Sequence, residues 1–340
     1  MVRLSKILLL LTLTSSVCAN GQTHRSMLHD SLQAYIDTVL SIVKKKSLYI
    51  NQVNWDGVID STHAIIANAR NIEELMPGVS YIFTAIGDFH GGLNYRERWY
   101  GMEKKTVSVR DELREGFKTG ARIRTKVLES EYGYVFVPPV WALTEKETTI
   151  FAQQLQDSVC LAINSNVRGW IVDLRLNLGG NMFAMIGGLG NIIGDGVLGT
   201  FIDRNGREVK WSLNKGDVYE GAERWTKIER RCPDQSSLKV AILISQLTCS
   251  SGEALAISFK GRNHVRFFGE QTSGYITAND LVFIDKNSMF LIAEAYMADR
   301  NHTIYKDFVQ PDSVISKGDN FSDLEKDLAV QTALEWLKSN

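Results

Sequence analysis

Excess charge is what this chain most plainly lacks. Lys and Arg number 38 against 39 Asp and Glu, a formal net charge of −1, and no basic run suggests a membrane surface. That removes the electrostatic footprint of a nucleic-acid binder and of a protein held on an anionic membrane surface. Metal-ligand spacing is absent as well. The six histidines and four cysteines form neither His-x-x-x-His nor Cys-x-x-Cys, so no metal or cofactor is expected. A Gly-x-Ser-x-Gly elbow is missing, which disfavours an esterase of the common α/β type. There is no internal repeat and no low-complexity tract.

Long apolar runs are equally scarce. The one candidate opens the chain, "MVRLSKILLLLTLTSSVCANGQTH", with Arg3 and Lys6 before Ile7 to Leu13 and the small-residue site Val17-Cys18-Ala19. This is the pattern of a signal peptide over residues 1–19, too short for a stable bilayer span. The expectation is an exported protein cleaved near Ala19, with no transmembrane segment in the mature chain. A lipid-anchored Cys18 is the rival, and Val17 before it fits that pattern poorly. Loss of Cys18 leaves Cys160, Cys232 and Cys249, an odd number that argues against a disulfide framework. Apolar surroundings point to buried free thiols at Cys160 and Cys249. A Cys160–Cys232 bridge is the alternative in an oxidising compartment.

What remains is a chain of 340 residues, 44% hydrophobic, with enough apolar content for a sizeable core. Residues 20–94 read as a small helical unit. Leu28, Leu32, Ile36, Val39, Leu40 and Val43 share one helical face, a second helix follows Trp55, and "SYIFTAIGDFHGGL" ends in a glycine-flanked turn at His90. Residues 95–125 are charged and weakly periodic, a surface connector with one strand. From 126 to 340 the pattern alternates. "YGYVFVPP", "RGWIVDLRLN", "LKVAILIS" and "HVRFFGE" read as strands, "EKETTIFAQQLQDSVCLAI" and "SDLEKDLAVQTALEWLK" as helices, and "TFIDRNGREVKWSL" as a hairpin turning at Asn-Gly. Such alternation predicts a layered α/β domain.

Three turns end apolar runs, where α/β folds gather functional groups. They are "IGDFHGG", "DLRLNLGGN" and "TCSSGE". Ser250 would open a helix with its hydroxyl exposed. The N–H groups of Ser251 and of the Gly179-Gly180 turn could cradle an oxyanion, and His90 could accept the serine proton. Each also has a plain reading. A serine there is a helix cap, a Gly-Gly pair is a tight turn, His90 is a hydrogen-bonded turn residue, and Asp173 with Arg175 is an ordinary ion pair.

The motifs in order resemble a known family. "GWIVDLRLNLGGNMFAM" is similar to the Asp-Leu-Arg-x-Asn-x-Gly-Gly signature of the C-terminal-processing peptidase, tricorn and interphotoreceptor retinoid-binding protein family of serine peptidases. "VAILISQLTCSSGEALAISF" resembles its nucleophile turn and following helix, and "FFGEQTSGYITAND" and "QPD" continue the order. "IGDFHGGL" looks like the His-bearing element of the tricorn-like branch.

The resemblance implies a crotonase/ClpP-like αβα core with a mixed sheet behind an N-terminal helical unit. It puts Ser250 on the nucleophile, Ser251 and Gly179 or Gly180 on the oxyanion donors, and His90 on the general base. Asp173, Arg175 and Asn177 shape the turn. Peptide or protein substrates follow, cleaved through an acyl-enzyme.

Two departures stand out. Tyr275 occupies the place of the lysine in Ser-Lys members, and a phenol with a pKa of roughly 10 is a poor neutral-pH base. The acidic residue orienting the base has no clear counterpart, Asp307 being the candidate. The connector leaves no room for a PDZ insertion. A catalytically degenerate ligand- or peptide-binding protein on the same fold is the alternative, since the family includes retinoid binders.

Overall fold

The computed structural model describes residues 21–103, 109–163 and 166–339, with side chains from Asp30 onward. The signal-peptide reading, Ala19 and Cys18 lie outside the described residues. The chain divides into two compact units, the larger Thr106–Thr277 with Tyr296–Asn340, the smaller running to Lys105 and including Ala278–Ala295.

The smaller unit begins with three helices, α1 (Gly21–Lys46), α2 (Trp55–Ile66) and α3 (Met76–Ile86). Leu32, Ile36, Val39, Leu40 and Val43 are buried, as the 3.6-residue spacing requires of one apolar stripe. Asn54 caps α2, its side chain accepting from the Gly57 amide. Gly87 closes α3 in the left-handed conformation at φ 74°, which turns the chain out toward His90. Strands β1 (Gly92–Tyr95) and β2 (Arg98–Gly101) follow, paired antiparallel.

The larger unit takes up the chain with α4 (Asp111–Phe117), β3 (Arg124–Leu128), β4 (Tyr132–Phe136), α5 (Glu145–Ile163) and β5 (Gly169–Asp173). Next come α6 (Met182–Gly188), α7 (Gly190–Ile193) and the meander β6 (Gly196–Asp203), β7 (Glu208–Asn214), β8 (Asp217–Glu220), β9 (Glu223–Arg224). It continues with β10 (Lys239–Ile244), α8 (Ser251–Phe259) and β11 (Val265–Gly269). Strands β12 (Thr277–Asp285) and β13 (Ser288–Asp299) pair with each other, and their Ala278–Ala295 stretch belongs to the smaller unit, where β13 pairs antiparallel with β1. Finally β14 (Ile304–Tyr305), β15 (Ser313–Val314) and α9 (Leu328–Lys338) belong to the larger unit.

One sheet sets the site. Its order is β15-β11-β10-β5-β4-β3, with β4, β5, β10 and β11 parallel and β3 antiparallel at the edge. Every residue of β4 and β5 is buried, the near-continuous apolar run that a parallel strand covered on both faces needs. On one face Ile171, Ala241, Leu243 and Phe268 pack with Ala329, Val330, Ala333 and Leu334 of α9.

The charged stretch read as a surface connector does more than connect. Its α4 buries Leu113 in that same core, while Arg110 pairs with Glu270 at 2.8 Å and Asp319 at 2.7 Å. Local charge density concealed one apolar side of a short helix. The C-terminal helix also starts later than its sequence pattern implies. Asp327 interrupts it to cap α9, accepting from Val330 at 3.0 Å.

The expectation of a free thiol at Cys160 is overturned. Cys160 on α5 is bonded to Cys232, 72 residues away, and among the described residues Cys249 keeps its thiol. The loop bearing Cys232 lies along α5, where Gln153 receives the Glu229 amide at 2.9 Å and donates to the Arg230 carbonyl at 2.9 Å. That docking brings two half-buried cysteines together, and sequence spacing does not report it.

A buried ion network closes the core below the sheet ends. Arg175, 1% exposed, reaches Asp173 at 2.6 Å, Asp319 at 2.6 Å and Asp327 at 2.9 Å, with Phe321 beneath its guanidinium at 4.4 Å. The Tyr134 hydroxyl donates to Asp173 at 2.8 Å.

Candidate active site

Strands β5 and β10 are parallel neighbours in register, Asp173 opposite Leu243, so the turns that follow them emerge side by side. They are stitched together. The Leu174 amide donates to the Leu243 carbonyl at 2.8 Å and the Cys249 amide to the Asn177 carbonyl at 2.9 Å. The Ser245 hydroxyl reaches the Arg175 carbonyl at 2.6 Å, and the Thr248 hydroxyl the Leu174 carbonyl at 2.8 Å. The carboxyl ends of parallel strands are where open α/β sheets place their ligands.

Ser250 stands at the join of this turn and α8, half-buried, with φ 54° and ψ −118°. A non-glycine residue held there is strained, and such strain persists only where surroundings over-determine it. Here Glu253 Oε2 accepts the Ser250 amide at 2.8 Å. The Glu253 and Ala254 amides run to the Ser250 carbonyl at 2.8 and 3.0 Å. A residue serving only as a cap takes ordinary extended backbone, as Asn54 and Asp327 do here.

The Gly-Gly turn lies directly against it. Gly179 and Gly180 hold φ 100° and 113°, and a Cβ on Gly179 would stand 2.8 Å from the Cys249 carbonyl oxygen and 2.9 Å from Ser250 Cβ. A Cβ on Gly180 would collide with the Val140 carbonyl. Only glycine permits both the backbone angle and the approach. Asn177 fixes the turn from within. Its Oδ1 accepts the Gly179 amide at 2.9 Å, and its Nδ2 donates to the carbonyls of Val137 at 3.0 Å and Pro138 at 3.2 Å. From the other side the Ser251 hydroxyl donates to the Gly180 carbonyl at 2.7 Å. Ser250, Ser251, Gly179 and Gly180 are thus brought together.

Glu253 is the residue whose weight sequence reasoning missed. Fully buried, it accepts from Ser250 N, from the Thr272 hydroxyl and from Gly274 N at 2.8 Å, tying the serine turn to the 272–275 loop. Burial pushes its carboxyl up to about 7, although the Thr272, Gly274, Ser250 and Tyr275 donors pull the other way. The folded state therefore holds a proton between about 4.5 and about 7 that the unfolded chain has released. This group's contribution to stability falls as pH rises through that window and is flat above it. Urea midpoints of wild type and Glu253→Gln at pH 5 and 7.5 check it. Wild type should lose more stability than the variant on going up, and parallel losses would refute the sign.

His90 is 6% exposed and belongs to the smaller unit. Its turn is built on Asp88, whose Oδ1 accepts the His90 amide at 3.1 Å and the Gly91 amide at 2.6 Å, and whose Oδ2 accepts the Ala293 amide at 3.2 Å. Burial pushes the Asp88 carboxyl up despite these three amides. Asp307 is exposed in the larger unit, on a segment joined to the Thr272 loop through Thr272 N to the Val309 carbonyl at 3.1 Å. Burial raises the Tyr275 phenol above its ordinary range, which leaves it still less suited to act as a base near neutrality. Among the described residues no group of His, Cys, Asp and Glu could hold a metal ion, and no helix is long and apolar enough to cross a membrane.

Residues 131–315, over half of the chain, match peptidase family S41. The chain belongs to that family. The matched span includes both turns just described and ends one residue beyond β15. A nisin-resistance protein of Lactococcus lactis subsp. lactis is 28% identical over 313 residues, 91% of this chain and 88% of that protein. Among solved structures, a lipoprotein from Streptococcus agalactiae has a TM-score of 0.69 at 21% identity, covering 96% of this chain and 99% of that one. The photosystem II D1 C-terminal processing protease has a TM-score of 0.57 at 13% identity, covering 89% and 97%. The expected α/β core with an N-terminal helical unit is therefore the fold of S41 proteases.

Proposed function

We propose that this S41 member is an exported serine peptidase with Ser250 as its nucleophile. The observation that carries the reading is the strained Ser250 backbone with the Gly-Gly turn packed on it. In the reaction, Ser250 Oγ attacks the scissile carbonyl while His90 takes its proton. The oxyanion is held by the N–H groups of Ser251 and Gly180. Of the two glycines, Gly180 is assigned because the Gly179 amide already donates to Asn177. Collapse expels the amine, which takes the proton from His90, and water then releases the acyl group by the same route. Asp307 is the candidate to orient the base.

Export is supported by the Cys160–Cys232 disulfide and by the likeness to a Streptococcus agalactiae lipoprotein. The name of the Lactococcus relative makes nisin the first peptide to try as substrate. The rival reading, a binding protein that has lost catalysis, draws on Tyr275 in the lysine position. A fluorophosphonate probe at neutral pH decides between them. One covalent adduct per chain, located by peptide mass on the Leu247–Phe259 segment, supports the peptidase. A protein that stays unlabelled refutes it.

A further inference from the structure

Beside the oxyanion turn the chain exposes an apolar surface that the fold does not use. Residues 140–143 alternate sharply, Val140 being 3% exposed, Trp141 80%, Ala142 7% and Leu143 74%. That is the period of an extended segment with one face in the core and one in water. Its inner edge is bound to the Gly-Gly turn, the Val140 amide donating to the Gly179 carbonyl at 3.0 Å and the Asn181 amide to the Val140 carbonyl at 2.8 Å. Asn181 Nδ2 adds a bond to the Ala142 carbonyl at 3.0 Å.

In an extended segment the next residue turns its N–H and C=O to the opposite edge. The main-chain groups of Trp141 therefore face away from the Gly-Gly turn, and among the described residues nothing pairs with them. Leu178, immediately before Gly179, adds a further 41% exposed apolar side chain. A scattered surface leucine needs no explanation. An indole left 80% in water beside a reactive turn does.

We propose that Trp141 and Leu143 form the subsite that takes an apolar side chain of an extended peptide, paired through its backbone along the free edge at Trp141. The inference rests on the peptidase reading of this site and adds the substrate's chemistry, a peptide with a bulky apolar residue flanking the scissile bond. Three features favour that occupant. The surface is continuous with the turn that would hold the carbonyl, since Val140 and Gly180 are paired and Gly180 is bonded to Ser251. A free backbone edge recognises an extended chain without regard to sequence, while alternate side-chain positions supply selectivity. Indole offers a large rigid face at little entropic cost, which suits it to grip an apolar side chain.

The test measures binding, so it does not depend on turnover. In a Ser250→Ala background, a fluorescein-labelled decapeptide with a central Leu-Phe pair is titrated against the same peptide carrying Ser-Ser. The apolar peptide should bind about tenfold tighter. Adding Trp141→Ala should erase that advantage while leaving the Ser-Ser peptide unchanged, and Trp141→Phe should retain most of it. Trp141 makes so little contact with the fold that circular dichroism of the variants should match wild type. Equal binding of the two peptides, no binding of either, or unchanged discrimination in Trp141→Ala would overturn the subsite. Fluorophosphonate labelling of the protein with Trp141 intact separates the two readings. Labelling there with no discrimination in Ser250→Ala removes only the subsite, and discrimination in Ser250→Ala without labelling of the wild type removes only the catalysis.

Discussion

Ser250→Ala should stop peptide hydrolysis, lowering turnover by about 10⁴-fold or more. It should cost no more stability than the loss of a helix cap, about 1 kcal/mol, since Ser250 and Glu253 form a capping box. The bonds that hold the strained turn are made by main-chain atoms of Ser250, its amide to Glu253 and its carbonyl to the Glu253 and Ala254 amides. Alanine at φ 54° suffers the same strain as serine, so the substitution removes one oxygen and leaves the turn in place. His90→Ala should fall by a similar factor. Its amide, not its ring, donates the bond to Asp88 that shapes the turn, so that bond survives the substitution. On the proposed roles nucleophile and base would act as one unit, so the double variant should be no slower than either single one. Rates on a fluorogenic peptide, with thermal melts alongside, check the set. Multiplied losses in the double variant would mean that the two residues work independently, and full turnover in Ser250→Ala would end the assignment.

The parts of the site legible in the sequence are those whose cause is local. Ser250 sits between an apolar strand and an apolar helix, and a hydroxyl at that join has few explanations. Gly179 and Gly180 announce a backbone that no other residue adopts cheaply, and the structure gives them φ 100° and 113°. His90 stands out because Gly87 ends one helix just before it. What sequence does not show is pairing at long range. Arg175 is bonded to Asp319 and Asp327, 144 and 152 residues further on, and from the sequence it reads as half of an ordinary ion pair with Asp173. The Cys160–Cys232 bond depends on a loop lying along α5, and no periodicity encodes where a loop lies. The path of Ala278–Ala295 into the smaller unit is hidden for the same reason, since a hairpin reads alike whichever unit it joins. Glu253 is visible as part of a motif, but its partners Thr272 and Gly274 come from another strand end.

The Arg175 network carries the largest effect expected on stability. Replacing Arg175 with methionine keeps much of the apolar stem over Phe321 and deletes the charge. Asp173 and Asp327, both fully buried, then lose their shared counter-charge, while Asp319 keeps Arg110 at 2.7 Å. Breaking a buried ion pair by removing one partner costs about 3–5 kcal/mol, because the remaining charge is left desolvated and unpaired. For a protein of this size that corresponds to a fall in Tm of roughly 4–7 °C. Arg175→Lys should recover only part of the loss. An ammonium cannot reproduce the two-pronged contact in which Nε and Nη2 meet the two Asp173 oxygens at 3.0 and 2.6 Å while Nη1 serves Asp319 and Asp327.

Urea unfolding of wild type, Arg175→Met and Arg175→Lys reads the cost directly. A cost below about 1 kcal/mol is what an exposed ion pair would give. That result would mean the carboxylates find water or other partners once the guanidinium is gone, and that the turn bearing Gly179 and Gly180 does not depend on this network for its foundation.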